Sequence, residues 1–198
     1  MQKPNGYEEA QASGEFTPVN LGGHHAIVKQ VKETKSSNGL NMIVVAFDFA
    51  KNDEQPEYFM NRFKADDREN AKWPFNGTKY ILVNDYQDRN KTSRAFKTFC
   101  NAIEKSNGVE IKWGGADWGQ QFRNRKIGVV FGEEEHEYEG KISMRRVPKW
   151  FCRDDAVETA GIPEAKYLNG RAPATAKTSA PDSQGFMAVT GDEEDIPF

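Results

Sequence analysis

The chain has 198 residues and a formal net charge of −3, from 27 basic and 30 acidic side chains. No apolar run approaches the roughly 18–20 residues needed to cross a membrane, and Met1-Gln2-Lys3-Pro4-Asn5-Gly6 has no apolar stretch behind it, so a cytoplasmic protein without a secretory signal is expected. Cys100 and Cys152 are the only cysteines; with His24, His25 and His136 they do not supply the short-spaced ligand set of a structural zinc, so two reduced thiols are expected, with no metal and no cofactor.

Residues 1–18 are polar and read as a flexible N-terminal arm, and residues 19–168 as the folded domain. The first strand is expected over His25–Thr34, where Ile27, Val28 and Val31 are mixed with Lys and Gln, as suits a half-exposed strand. Asn38-Gly39 then gives a hairpin signal, since both residues tolerate positive φ. Leu40–Ala50 follows as a long second strand. Glu57–Lys64 and Thr78–Asn84 are further expected strands, separated by a polar excursion that holds Trp73-Pro74-Phe75.

A helix is predicted over Thr92–Ser106. Phe96, Phe99, Cys100 and Ile103 fall on one face, Thr92 or Asn90 can cap the start, and Asn107-Gly108 can end it. A strand over Lys126–Phe131, an acidic turn region at Glu133–Glu139 and a last strand over Lys141–Trp150 complete the domain. The order matches a mainly β fold of the OB type, a five-stranded Greek-key barrel with one helix between strands three and four.

The net charge hides a split: residues 171–198 hold two basic and five acidic side chains, so the body is neutral. Within it, residues 60–150 carry eighteen basic against thirteen acidic side chains. Binding single strands without reading sequence needs cations along the phosphates and flat rings for the bases. Candidates are Lys35 in the first hairpin; Phe59, Arg62 and Lys64; Trp73 and Phe75; Trp113 and Trp118 around Gly114-Gly115; Arg123, Arg125 and Lys126; and Arg145 and Lys149, with Trp150 beside Lys149 at the end of the last strand. Phe47, Phe49, Phe96, Phe99 and Phe131 sit in apolar runs and are expected in the core. Trp73, Trp113 and Trp118 fit either a stacking platform or a core edge. In OB-folds the loops after strands one and four often grip nucleic acid. Here the first carries Lys32 and Lys35, while Glu133–Glu139 would repel phosphates. No phosphate-cradling loop, nucleophile elbow or metal-binding histidine pair is present, so no enzymatic activity is expected.

Residues 169–190 read as a flexible linker, and residues 191–198 as an acidic docking tail. Ile196 and Phe198 offer apolar anchors, Pro197 limits the conformations to be frozen, and Asp192, Glu193, Glu194 and Asp195 steer the segment towards a basic patch. Glu193-Glu194-Asp195-Ile196-Pro197-Phe198 resembles the tail of bacterial and phage single-stranded DNA-binding proteins, in which Asp is commoner at the two Glu positions. The hairpin Lys35–Met42 and the run Gln121–Trp150 resemble phage-encoded members. The resemblance implies coating of exposed strands in replication, recombination and repair, in the host cytoplasm. It also implies recruitment of polymerase subunits, primase or helicases through the tail. Two alternatives stand beside it: a strand-annealing or recombination-mediator protein, and an adaptor that uses the tail without touching DNA. Homo-oligomerisation is left open.

Overall fold

The computed structural model describes residues 3–4 and 17–168. Strand β1, Gly22–Lys35, begins as an alternation in which His24, Ala26 and Val28 face inward. Its pairing with the next strand shifts between Val28 and Gln30, after which Val31 is the buried residue. A single inserted residue re-aims the side chains that follow, because the side-chain period along a strand is two. The chain reverses at Ser36–Gly39, where Gly39 has φ 74° and its N–H donates to the Ser36 carbonyl (2.9 Å). It returns as β2, Asn41–Phe49. The hairpin is where Asn38-Gly39 places it, with the glycine taking the left-handed position.

Glu57–Lys64 is not a strand. Tyr58–Lys64 forms a short helix, α1, with Tyr58 and Phe59 buried against the sheet. No side chain near its start caps it. Its first-turn N–H groups are met instead by the Asp48 carboxylate of β2, whose Oδ1 accepts from Phe59 N (2.9 Å) and Met60 N (3.4 Å). A cap supplied from another strand leaves no local sequence signal.

Asp48 is fully buried, its Oδ2 has no hydrogen-bond partner among the described residues, and Lys29 Nζ stands 3.8 Å away. Burial pushes its carboxyl above the usual carboxylate range, against the opposing pull of the backbone donors and Lys29. Asp48→Asn keeps the Oδ1 acceptor and removes the buried charge. A folded-state pKa above the unfolded value means that the wild-type carboxylate costs stability above the folded pKa and costs nothing below the unfolded one. The variant is therefore expected to gain on the wild type at neutral pH, and the gain to vanish as pH falls below about 3.9. Urea unfolding at pH 7 and pH 3 checks this; a gain that grows on acidification contradicts it.

β3, Thr78–Leu82, pairs with β2. The long helix α2, Arg94–Asn107, buries Phe96, Phe99, Cys100 and Ile103, the face predicted from their spacing. Its cap is Ser93, whose Oγ accepts from Phe96 N (3.1 Å), rather than Thr92 or Asn90. Gly108, at φ 61°, closes it. Cys100 and Cys152 are free thiols, and burial pushes both up to about 11.

β4 spans Lys126–Tyr138 and β5 Lys141–Cys152. The acidic stretch expected as a turn is thus part of a strand, and the reversal falls at Glu139-Gly140. Across the ladder Glu133 faces Arg146 and Glu134 faces Arg145. Arg145 Nη2 lies 2.9 Å and Lys149 Nζ 3.1 Å from Glu134, and Arg146 Nε lies 3.5 Å from Glu133. Opposite charges in register favour the pairing that a row of glutamates alone disfavours. Burial opposes ionisation of Glu134, but its hydrogen bonds to Arg145 and Lys149 hold its carboxyl below the ordinary value.

The five strands form one antiparallel sheet in the order β3-β2-β1-β4-β5. The sheet bends so that its two edges approach: Lys79 Nζ on β3 donates to the Pro148 carbonyl on β5 (2.9 Å), and Asn76 donates to the Arg146 carbonyl (2.8 Å). Past Val28, where β1 leaves β4, the segment 118–125 takes over: Val28 exchanges backbone hydrogen bonds with Arg125 and Asn124 (2.9 and 2.8 Å). Gly119 there sits so close to the Val31 carbonyl that a Cβ would overlap it. Inside lie Phe47, Phe49, Phe59, Phe99, Phe122 and Phe131, all fully buried, many of them meeting edge to face. Among the described residues no helix is long and apolar enough to cross a membrane.

Candidate nucleic-acid interface

Strand alternation decides which rings reach the surface. On β3, Ile81 points into the core and Tyr80 out; on β5, Phe151 points in and Trp150 out. Because β3 and β5 meet where the sheet curls, Tyr80 and Trp150 line one groove of about 650 Å³, joined by Tyr86 from the loop after β3. The three rings are 55%, 43% and 70% exposed in that order. Lys79, Arg94 and Lys149 supply cations to the same groove, and Asp85 a carboxylate. Burial pushes the Lys79 ammonium down to about 8; the neighbouring Lys149 charge adds to the shift and Glu134 opposes it.

A second groove, of about 320 Å³, brings Trp73 and Arg123 together with Lys29 and Gln30 of β1. Trp73 is half-buried, and its Nε1–H donates to the Gly77 carbonyl (3.0 Å). A third, of about 400 Å³, lies where Thr34 and Met42 approach Trp113 and Trp118. There Trp113 is 66% exposed and stacks on Trp118 (5.8 Å between centroids, 23° between planes). Trp118 itself is a core-edge residue, 8% exposed. Trp118 thus takes the core-edge place, while Trp113 keeps an exposed face. Lys32 pairs with Val44, and Val44 with Tyr80, in one cross-strand row on the outer face of the sheet.

Several predicted contacts are placed elsewhere. Phe59 is wholly inside the core, packed on Phe47 and Phe49, and presents no face to a base. The Arg62 guanidinium lies over the Tyr58 ring (5.7 Å) and Lys64 is exposed at the end of α1. Arg145 lies over the Phe75 ring (5.2 Å) while paired to Glu134, so its charge is already partly answered. Lys35 is exposed at the tip of the first hairpin, and Lys126 is exposed at the start of β4. Arg125 donates to the Gln121 carbonyl (3.2 Å). The structure thus gathers Trp73 with Arg123 and Trp113 with Trp118. Of the predicted residues only Lys149, with Trp150 beside it, lines the β3–β5 groove. Asp192–Phe198 and the linker 169–190 lie outside the described residues, as does most of the arm.

Sequence reasoning missed Lys79, Tyr80, Tyr86 and Arg94, and named Trp150 only beside Lys149 at the end of the last strand. The three rings carried a signal. In Tyr80-Ile81 and Trp150-Phe151 the two neighbours in a strand must face opposite sides, so one ring or apolar group of each pair is outward. Tyr86, flanked by Asp85, Gln87 and Asp88, is an aromatic in an otherwise polar turn.

His24 and His25 act as braces. The His24 ring is buried and stacks on Phe49 (4.1 Å, 4°), with Nδ1 at 3.0 Å from Asp53 and Nε2 at 3.0 Å from the Asn20 carbonyl. His25 Nδ1 lies 2.7 Å from Asp154 Oδ1. Burial works against a charged His25 ring, but Asp154, Glu158 and Asp53 together hold its pKa above the ordinary value. Among the described residues no cluster of His, Cys, Asp or Glu is placed to hold a metal ion. A scan against protein-family models finds no match, and a search of curated proteins finds none either.

Proposed function

We propose that this chain binds single-stranded DNA, with little sequence preference, on an OB-type barrel, and recruits replication and recombination enzymes through its acidic Ile-Pro-Phe end. The observation that carries the DNA-binding reading is the β3–β5 groove, where three exposed rings and three cations line one apolar depression. Rings take bases by stacking and cations follow the backbone, which is the pairing of chemistries that sequence-tolerant strand binding requires. The strand order, the approach of β3 to β5 and the helix between β3 and β4 support the barrel assignment. The pairing of Glu133 and Glu134 with Arg145, Arg146 and Lys149 removes an obstacle, since these carboxylates are matched across the β4–β5 ladder rather than massed in a gripping loop.

Trp150 and Trp113 are exposed, so strand binding should quench their fluorescence. Titration with a poly-pyrimidine oligonucleotide at low salt is expected to saturate, with log affinity falling against log salt at about −0.7 per phosphate neutralised. No quenching at low salt overturns the reading. Removal of residues 191–198 is expected to abolish pull-down of polymerase subunits, primase or helicase while strand binding persists. Retention of every such association refutes the docking role of the tail.

A further inference from the structure

One of the three cations of the β3–β5 groove is also an oriented amine. Lys79 lines the groove together with Tyr80 and the β5 residues Lys149 and Trp150. Its Nζ donates to the Pro148 carbonyl (2.9 Å), which orients the amine. We propose that Lys79 is a nucleophile that captures the ring-opened aldehyde of an abasic site in single-stranded DNA as an imine. The inference rests on the strand-binding reading and adds a substrate class to the same groove.

A lysine reacts as a nucleophile only when neutral, and two devices neutralise one: desolvation and a neighbouring cation. Both act here. Burial and the Lys149 ammonium bring Lys79 down to about 8. In the neutral amine an N–H can donate to Pro148 while the lone pair stays free for a carbonyl carbon. The rest of the groove suits the ligand. An abasic nucleotide has no base to stack, so its sugar can sink to the wall while flanking bases stack on Tyr80, Tyr86 or Trp150. Arg94 and Lys149 can hold the adjoining phosphates.

The step balances without an oxidant or reductant. The Nζ lone pair bonds to C1′ as the carbonyl π pair moves to oxygen, which receives a proton from the nitrogen. The carbinolamine then loses that oxygen as water while the carbon–nitrogen double bond forms. Amine and aldehyde give imine and water. The charges that face Lys79 are Lys149 on β5 and Glu134 on β4, with Arg94 and Asp85 on the same groove.

The test incubates the full chain with a single-stranded oligonucleotide bearing one abasic site, in cyanoborohydride, which reduces the imine to a stable secondary amine. A protein–DNA adduct is expected on a denaturing gel, forming faster as pH rises through about 8, and mapping to residue 79 after digestion. Lys79→Arg, which keeps the charge, is expected to lose the adduct at an oligonucleotide concentration that saturates the variant's own binding, read by tryptophan fluorescence. Lys141→Arg, at the β4–β5 turn outside the groove, is expected to keep it. An adduct that survives in Lys79→Arg, maps to another lysine or disappears in Lys141→Arg overturns the assignment. Intact-strand binding without any adduct overturns this inference and leaves strand binding standing. No binding of either oligonucleotide overturns both.

Discussion

Replacing Tyr80 and Trp150 together by alanine is expected to weaken binding of a poly-pyrimidine strand by about 1–3 kcal/mol for each ring that stacks. Each such loss is roughly five- to 150-fold in Kd. The expectation follows from placement. Both rings leave the sheet on the side opposite a buried neighbour, Ile81 or Phe151, so truncating them removes surface rather than core. Stability should therefore change little, and the loss should show in the dissociation constant at fixed salt. The salt dependence should keep its slope, because no phosphate contact is removed. Tyr138→Ala is the matched control. That ring is more exposed than either, but it stands at the far end of the β4–β5 hairpin between Glu137 and Glu139. If the double variant binds as tightly as the control, the groove is not the strand's path.

The largest effect on folding is expected at Phe131. Its ring is fully buried and stands 5.6 Å from Phe49 and 6.2 Å from both Phe47 and Phe59, while the His24 ring meets its edge at 5.6 Å. Phe131→Ala removes the element that links β1, β2 and α1 around one point. A buried Phe→Ala change costs about 3–5 kcal/mol, from lost transfer energy and the cavity left behind. For a chain of this size that lowers Tm by roughly 2–4 °C per kcal/mol. Urea unfolding should show a lower midpoint with the slope unchanged. A loss below about 1 kcal/mol would mean that the surrounding rings close the cavity, against the tight packing expected of a core.

The two predictions differ in how far the chain alone could have led to them. Phe131, like Phe47, Phe49, Phe96 and Phe99, declares itself by sitting in an apolar run. The α2 face and its Gly108 stop declare themselves by spacing. The β1–β2 hairpin does so through Asn38-Gly39. These signals are local, because strand period, helix period and turn chemistry each operate within a few residues. The proposed binding surface carries a weaker signal, the opposite facing of strand neighbours in Tyr80-Ile81 and Trp150-Phe151. Interleaved rings and cations mark several segments, and the fold sends them to different places: Phe59 to the core, Arg145 to Glu134, Trp118 to the edge of the core. The rings that share the main groove come from segments about seventy residues apart.

Chain pattern was therefore sufficient for the mainly β architecture, the aromatic interior and the amphipathic helix. Contacts between distant residues decided the rest. Asp48 turned Tyr58–Lys64 into a helix by meeting its unpaired N–H groups from β2. Arg145, Arg146 and Lys149 turned a run of glutamates into a strand by matching its charge across the ladder. The closing of β3 towards β5 put Tyr80 and Trp150 in one groove and left Lys79 half-buried there with Lys149. In each case the energy that selects the structure comes from a partner at least 11 residues away along the chain, beyond the few residues over which strand period, helix period and turn chemistry act.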